Sequence, residues 1–221
     1  YIRVNGKPLF LVYNVSGIPN IKDIILKWRT NAKEIGFEGV FLCSVKSIHN
    51  RISDSDAISL GFDAVVEFIP GADMNIPRKL SGMPRYYAFK LFNIAVDLLR
   101  LDKYIEKLPL TVVLDYRRFA EMNVNKEPYS VKTFPCVIPS WDNSARKKLS
   151  ASVQNNDPEI FKKWLHNALE RADSNPGDEK IVFINAWNEW AEGCHLEPDV
   201  RNGRMFLNAV KNVVDSYKRI K

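Results

Sequence analysis

Five short apolar runs, beginning near residues 9, 40, 64, 133 and 181, recur along the chain with helical patterns between them, and this alternation restricts the fold more than any other feature. Parallel strands need long crossover connections, usually helices, so an alternating β-α series predicts an α/β protein built on a parallel sheet. The first run, residues 9–13, follows the turn signal Asn5-Gly6-Lys7-Pro8 and is bounded by breakers, which suits a buried strand. Ile21, Ile24, Ile25, Trp28, Ala32 and Ile35 then recur at helical spacing, with Asn20 as the expected N-cap and Gly36 as the stop. Strands are expected over 40–43, 64–69, 133–139 and 181–186.

Between the third and fourth runs, Tyr87, Leu91, Ile94, Ala95 and Leu98 suggest an inserted helix, and Tyr116, Phe119 and Met122 another. Asp157 before Pro158 reads as an N-cap with proline at the first helical position, and Phe161, Trp164, Leu165, Ala168 and Leu169 supply the apolar face. Phe206, Val210, Val213 and Tyr217 line a last helix. Five β-α units cannot close an eight-stranded barrel of about 250 residues, which leaves an open doubly wound sheet or part of a (β/α)8 barrel. The chain opens almost directly on a core segment, with Tyr1 rather than Met, so the expectation is a single partial TIM-type barrel domain over residues 1–221 that holds the last five units.

With 46% hydrophobic residues the 221-residue chain can bury a sizeable core, which excludes disorder. Lys and Arg number 32 against 26 Asp and Glu; the resulting +6 is scattered apart from Arg146, Lys147, Lys148 and the tail, and argues for a solvated surface. Trp28 and Trp164 lie on apolar helix faces and no basic-aromatic motif appears, so nucleic acid is not an expected partner. No apolar run is long enough to span a bilayer. Cys43, Cys136 and Cys194 are odd in number and far apart, which predicts reduced thiols and a cytoplasmic setting, unless upstream sequence carries a targeting signal. No phosphate-cradling glycine motif follows a strand, so no cofactor is expected.

In a parallel α/β protein, chemistry gathers just past the strand ends. The last strand runs into Asn185-Ala186-Trp187-Asn188-Glu189-Trp190-Ala191-Glu192-Gly193-Cys194-His195-Leu196-Glu197-Pro198. Indoles are costly to leave in water, whereas sugar rings offer apolar faces and hydroxyl edges, so Trp187 and Trp190 beside Asn188 suit a carbohydrate. Glu189 and Glu192 are three apart, and one turn would set both over one cleft. Glycosyl chemistry needs such a pair, one carboxylate protonated to assist the leaving oxygen and one ionised as base or nucleophile. On spacing alone the same pair reads as a solvated helix face.

The full string resembles the N-x-W-N-E-W-x-E-G-x-x-L-E-P signature of the WbsX-type glycosyltransferase-like proteins, within the glycoside hydrolase family 99-like group, and meets every fixed position. Residues 1–9, 61–68 and 139–146 extend the resemblance, which covers essentially the whole chain and matches the C-terminal two-thirds of such a protein. It implies a (β/α)8 barrel with a carbohydrate site at the C-terminal face. It also implies retention by neighbouring-group participation, with Glu189 deprotonating the sugar 2-hydroxyl and Glu192 acting as acid and then base. Polysaccharide or lipopolysaccharide assembly is the implied setting, with hydrolysis, transglycosylation and transfer all open.

Further candidates follow other strands. Glu67 closes the third strand, where a carboxylate either faces the barrel mouth or pairs with a cation. Trp141, Asp142 and Asn143 offer a stacking face and two hydroxyl-binding groups, or an Asx turn; Arg146 is expected to support the site by holding a carboxylate, phosphate or acidic sugar, or to join a basic surface. Tyr13 ends the first strand in core or cleft, and Glu197 is expected to anchor the loop through Arg or backbone N–H groups. His195 is placed with the substrate-binding residues; His49 and His166 are not at ligand spacing from it and Cys194 has no C-x-x-C partner, so no metal is expected. The rival reading is a non-catalytic glycan-binding or assembly protein. An apolar flank left by missing units is expected to be covered by self-association or by the segment around residues 86–101.

Overall fold

The structure, a computed structural model, describes residues 1–71, 110–146 and 149–220. The chain opens with β1 (Arg3–Val4), β2 (Lys7–Val12), α1 (Ile21–Glu34), β3 (Phe41–Val45), α2 (Asp54–Leu60) and β4 (Ala64–Val66). Next come β5 (Leu110–Asp115), α3 (Tyr116–Val124), β6 (Thr133–Phe134), β7 (Cys136–Val137), β8 (Trp141–Asp142), β9 (Leu149–Gln154) and α4 (Pro158–Ala172). The described elements end with β10 (Phe183–Ile184), β11 (Asn188–Glu189), β12 (Cys194–His195) and α5 (Met205–Ile220). The expected helix around Tyr87 to Leu98 lies outside the described residues, as do Lys147 and Lys148. The chain divides into two units: Tyr1–Ala72 with Lys126–Val137 and Leu165–Ile184, and Asp73–Asn125 with Ile138–Trp164 and Asn185–Lys221.

In the first unit, Asn5 and Gly6 have φ of 50° and 75°, the hairpin geometry that matches right-twisted strands, and they fold β1 antiparallel onto β2. β2 then pairs in parallel with β3, β3 with β4 and β4 with β6, with Leu9 opposite Phe41, Cys43 opposite Ala64 and Val66 opposite Phe134. β7 pairs in parallel with β10. The five predicted runs are therefore parallel neighbours in chain order without a reversal, the order of a barrel-like α/β wall rather than of a doubly wound sheet.

Three local expectations are corrected. The fourth strand, expected over 133–139, is interrupted at Pro135, which has no N–H for the ladder, so β6 faces β4 while β7 faces β10. The fifth, expected over 181–186, keeps only residues 183 and 184; the Asn185 carbonyl accepts from the Cys194 thiol and that of Ala186 from the Leu196 N–H. Asn20 does not cap α1 with its side chain. It takes the left-handed conformation, and its carbonyl accepts from the Asp23 and Ile24 N–H groups.

β3 is buried at all five positions and so is covered on both faces, while Phe10 and Leu11 of the neighbouring β2 are exposed. Val4, Leu9, Phe41, Cys43, Val45, Ala64, Val66 and Phe134 fill one side, while Val12, Leu42 and Val65 meet Ile21 and Ile25 of α1 and Ala57 of α2 on the other. Cys43, Cys136 and Cys194 are buried thiols outside any disulfide, and burial pushes the Cys43 thiol far up.

The second unit contains a sheet the sequence pattern did not reveal. β5 runs parallel to β9 over six residue pairs, and β9 pairs antiparallel with β8, Trp141 opposite Val153. α3 forms where Tyr116, Phe119 and Met122 predicted a helix, with the Asp115 carboxylate accepting from the Arg118 N–H at its start. Trp164 of α4 is 3% exposed and lies edge-to-face on Phe119 at 5.8 Å and beside Tyr116 at 6.2 Å. The Tyr116 hydroxyl donates to the Ile138 carbonyl at 2.7 Å. Among the described residues no helix is long and apolar enough to cross a membrane.

Candidate functional site

The tryptophan-rich segment of the second unit is a small hairpin closed by a 3₁₀ turn. β11 pairs antiparallel with β12, Glu189 opposite Cys194, and residues 190–192 turn back with the Gly193 N–H bonded to the Trp190 carbonyl. Gly193 has φ of 55°, and a Cβ added there would lie 3.1 Å from the Asp142 Cβ and 3.2 Å from its N. Ser140 Oγ donates to the Gly193 carbonyl at 2.6 Å, so the turn is seated on β8. Gly193→Ala is expected to cost about 1–3 kcal/mol through left-handed backbone strain, with the close approach adding to it. A melting point lowered by a few degrees checks this, and an unchanged one contradicts the seating.

The turn brings the two glutamates to one cation. Arg146 Nη1 is 3.0 Å from Glu192 Oε1 and 3.8 Å from Glu189 Oε1. Glu189 is 44% exposed and Glu192 only 19%, so two carboxylates three residues apart occupy different environments. Sequence reasoning gave Arg146 a supporting place, and its position between both acids was not readable from spacing.

Trp187 and Trp190 are half exposed, and Asn188 is exposed between them. Trp190 is fixed on two sides: its Nε1–H donates to Glu197 at 2.8 Å, and its ring stacks on His195 with centroids 3.7 Å apart. Glu197 thus anchors the loop through an indole N–H, a partner the sequence reading did not name. His195 Nε2 lies 2.9 Å from Asp199 Oδ2, while His195 Nδ1 is buried without a hydrogen-bond partner. Asp199 was missed, although its spacing of four from His195 was the available signal. Partial burial pushes the Asp199 carboxyl up, but hydrogen bonds from Asn202 and His195 outweigh it and hold it below the usual range.

Trp141 is 6% exposed, so it offers less stacking face than expected, and its Nε1 is buried without a partner. Asp142 accepts from the Ser144 N–H and the Ser152 hydroxyl, both at 2.9 Å; these bonds outweigh partial burial and keep its carboxyl below the ordinary range. The buried Asn143 carbonyl oxygen accepts from the Ala151 N–H at 2.8 Å, which assigns that side chain to holding β8 against β9. A cleft of about 910 Å³ opens along Trp141, Asp142, Gln154, Trp190, His195 and Asp199. Its walls do not include Glu189 or Glu192.

Two candidates lie in the first unit. Tyr13 is 43% exposed, edge-on to Phe68 at 5.4 Å and 5.9 Å from His49. Glu67 is buried, with Oε1 3.4 Å from Lys126 Nζ and Oε2 accepting from the Cys136 N–H at 3.4 Å. Among the described residues no group of three or more His, Cys, Asp or Glu could hold a metal ion.

Comparison with known proteins gives three findings. A family model described as glycosyltransferase WbsX matches residues 1–210. Two relatives, each described as uncharacterized protein WxcX and from two strains of Xanthomonas campestris pv. campestris, are 30% identical over 216 residues, 97% of this chain. The chain spans 28% of the length of those curated relatives. A solved structure described as a glycoside hydrolase-like protein matches 96% of this chain and 55% of its own with a TM-score of 0.51 at 13% identity, a likeness of fold.

Proposed function

Because the chain belongs to the WbsX glycosyltransferase family, we propose that it carries a carbohydrate-active site that breaks or makes glycosidic bonds with Glu189 and Glu192. The observation that supports this reading is the convergence of both carboxylates on Arg146 beside two half-exposed indoles. Indole faces suit the C–H faces of a sugar.

In the proposed reaction Glu189, the more open carboxylate, takes the proton of the sugar 2-hydroxyl, whose oxygen attacks the anomeric carbon as the bond to the leaving oxygen breaks. Glu192 gives its proton to that oxygen, then takes one from the water or acceptor hydroxyl that attacks the anomeric carbon, while Glu189 returns its proton to the departing 2-oxygen, so configuration is retained and both carboxyl groups regain their starting states. The glycosidic oxygen has to displace Arg146 from Glu192 Oε1, and the guanidinium then balances the remaining charge near Glu189. Transfer and hydrolysis differ only in which hydroxyl arrives second. Polysaccharide or lipopolysaccharide assembly is the setting we assign. The cleft without glutamates favours a second reading, glycan binding without turnover.

Arg146 separates the two. In the natural full-length context Arg146→Met is expected to lower kcat by about tenfold, the scale of one hydrogen bond to a charged group, with Arg146→Lys recovering part of it. Initial-rate kinetics check this. Glycan binding with no turnover in the unsubstituted protein leaves the binding reading in place.

A further inference from the structure

Resting on the glycan reading above, we propose that the cleft beside the glutamate pair is a separate subsite that holds an uncharged stretch of the glycan and selects neutral sugar residues over acidic ones. Its volume of about 910 Å³ is at the upper end of ligand sites and suits an oligosaccharide segment rather than a single ring. Trp190 is 50% exposed although one face is covered by His195, so its other face remains for a sugar ring. Trp190 also begins the turn that carries Glu192, which sets a ring stacked there close to the reacting bond.

Two unmet hydrogen-bonding groups sit on residues that line the same cleft. Trp141 is more than nine-tenths buried and its Nε1–H has no partner, and His195 Nδ1 is likewise buried and unpaired. Buried polar atoms left unpaired are costly, and a small adjustment of the wall that lets sugar hydroxyls reach them would relieve that cost. Gln154 and Asn156 add amides that both donate and accept, matching a hydroxyl's own capacity. The charges of the cleft give its preference. Asp142 and Asp199 are negative, His195 lies against Asp199 at 2.9 Å, and Arg201 is the single Lys or Arg among the described lining residues, so a uronate carboxylate faces two carboxylates against one guanidinium and that imidazole, while a neutral ring meets no such charge.

The test uses the full-length protein and measures binding calorimetrically with neutral tetrasaccharides of glucose, mannose and galactose and with tetragalacturonate. At least one neutral probe is expected to bind more tightly than the uronate, and Gln154→Ala with Asn156→Ala should weaken it roughly tenfold, the worth of about one hydrogen bond. Asp199→Asn should narrow the gap between neutral and acidic probes. Equal or tighter uronate binding, no binding of any neutral probe, or an unchanged affinity in the Gln154/Asn156 variant overturns the proposal. Turnover that survives Glu189→Gln and Glu192→Gln would instead overturn the catalytic reading and leave the cleft result standing.

Discussion

Glu192→Gln is expected to lower turnover of a glycan with a poor leaving group by about 10²–10⁴-fold, the usual contribution of a positioned general acid. Glutamine keeps the shape of the side chain but holds no proton to transfer. An aryl glycoside whose phenol leaves without protonation should therefore recover part of the lost rate in this variant, that of the first step, because the second still lacks its base. Glu189→Gln should lose a similar factor and show no such recovery, because a better leaving group cannot replace removal of the proton from the attacking 2-hydroxyl. Initial rates on a series of aryl glycosides, set beside the natural glycan, separate the two roles. If both variants keep the rate of the unsubstituted protein, the pair is not catalytic.

Trp164→Ala is expected to destabilise the fold by about 3–5 kcal/mol, the usual cost of emptying a large buried aromatic site. Trp164 is 3% exposed and packed against Phe119 and Tyr116, so one truncation removes aromatic contacts with both. Tyr116 is itself fully buried and tied to the Ile138 carbonyl, which leaves the wall little freedom to collapse into the void. Guanidinium unfolding followed by far-UV circular dichroism measures the shift in midpoint. A loss below about 1 kcal/mol contradicts this packing, and Trp164→Phe, which keeps most of the volume, should cost clearly less.

The parallel order of the first unit was legible because each strand there is a short β-branched or aromatic run bounded by breakers and followed by a helical period. The ends of those strands were not. Pro135 was read as part of a continuous strand, although a missing N–H has to interrupt one ladder, and the loss of residues 185 and 186 from the last strand depends on contacts with Cys194 and Leu196 that no local pattern announces. The sheet of β5, β8 and β9 escaped notice despite the run Thr111-Val112-Val113-Leu114, because β9 is rich in polar residues and pairs with a strand more than thirty residues away.

The candidate site divides in the same way. Glu189, Glu192, Trp187 and Trp190 stood out because they fall in one segment whose full string matches a family signature, whereas the spacing of the glutamates alone reads as a solvated helix face. The partners that give them their setting come from elsewhere or look ordinary alone: Arg146 sits in a basic cluster, Asp199 in a polar loop, and Ser140 bonds Gly193 across fifty-three residues. Asn143 shows the opposite case, a residue of suitable chemistry that the fold uses to hold its own backbone.

The most direct test of the glutamate pair is a crystal structure of the full-length Glu192→Gln protein with an uncleaved oligosaccharide that the unsubstituted protein processes. The expected complex has a glycosidic oxygen within about 2.6–3.2 Å of the substituted side chain at position 192, the neighbouring 2-hydroxyl at the same distance from Glu189, and Arg146 displaced from its present contact. An oligosaccharide bound with no ring atom near either side chain, and with Arg146 still bridging them, would contradict it.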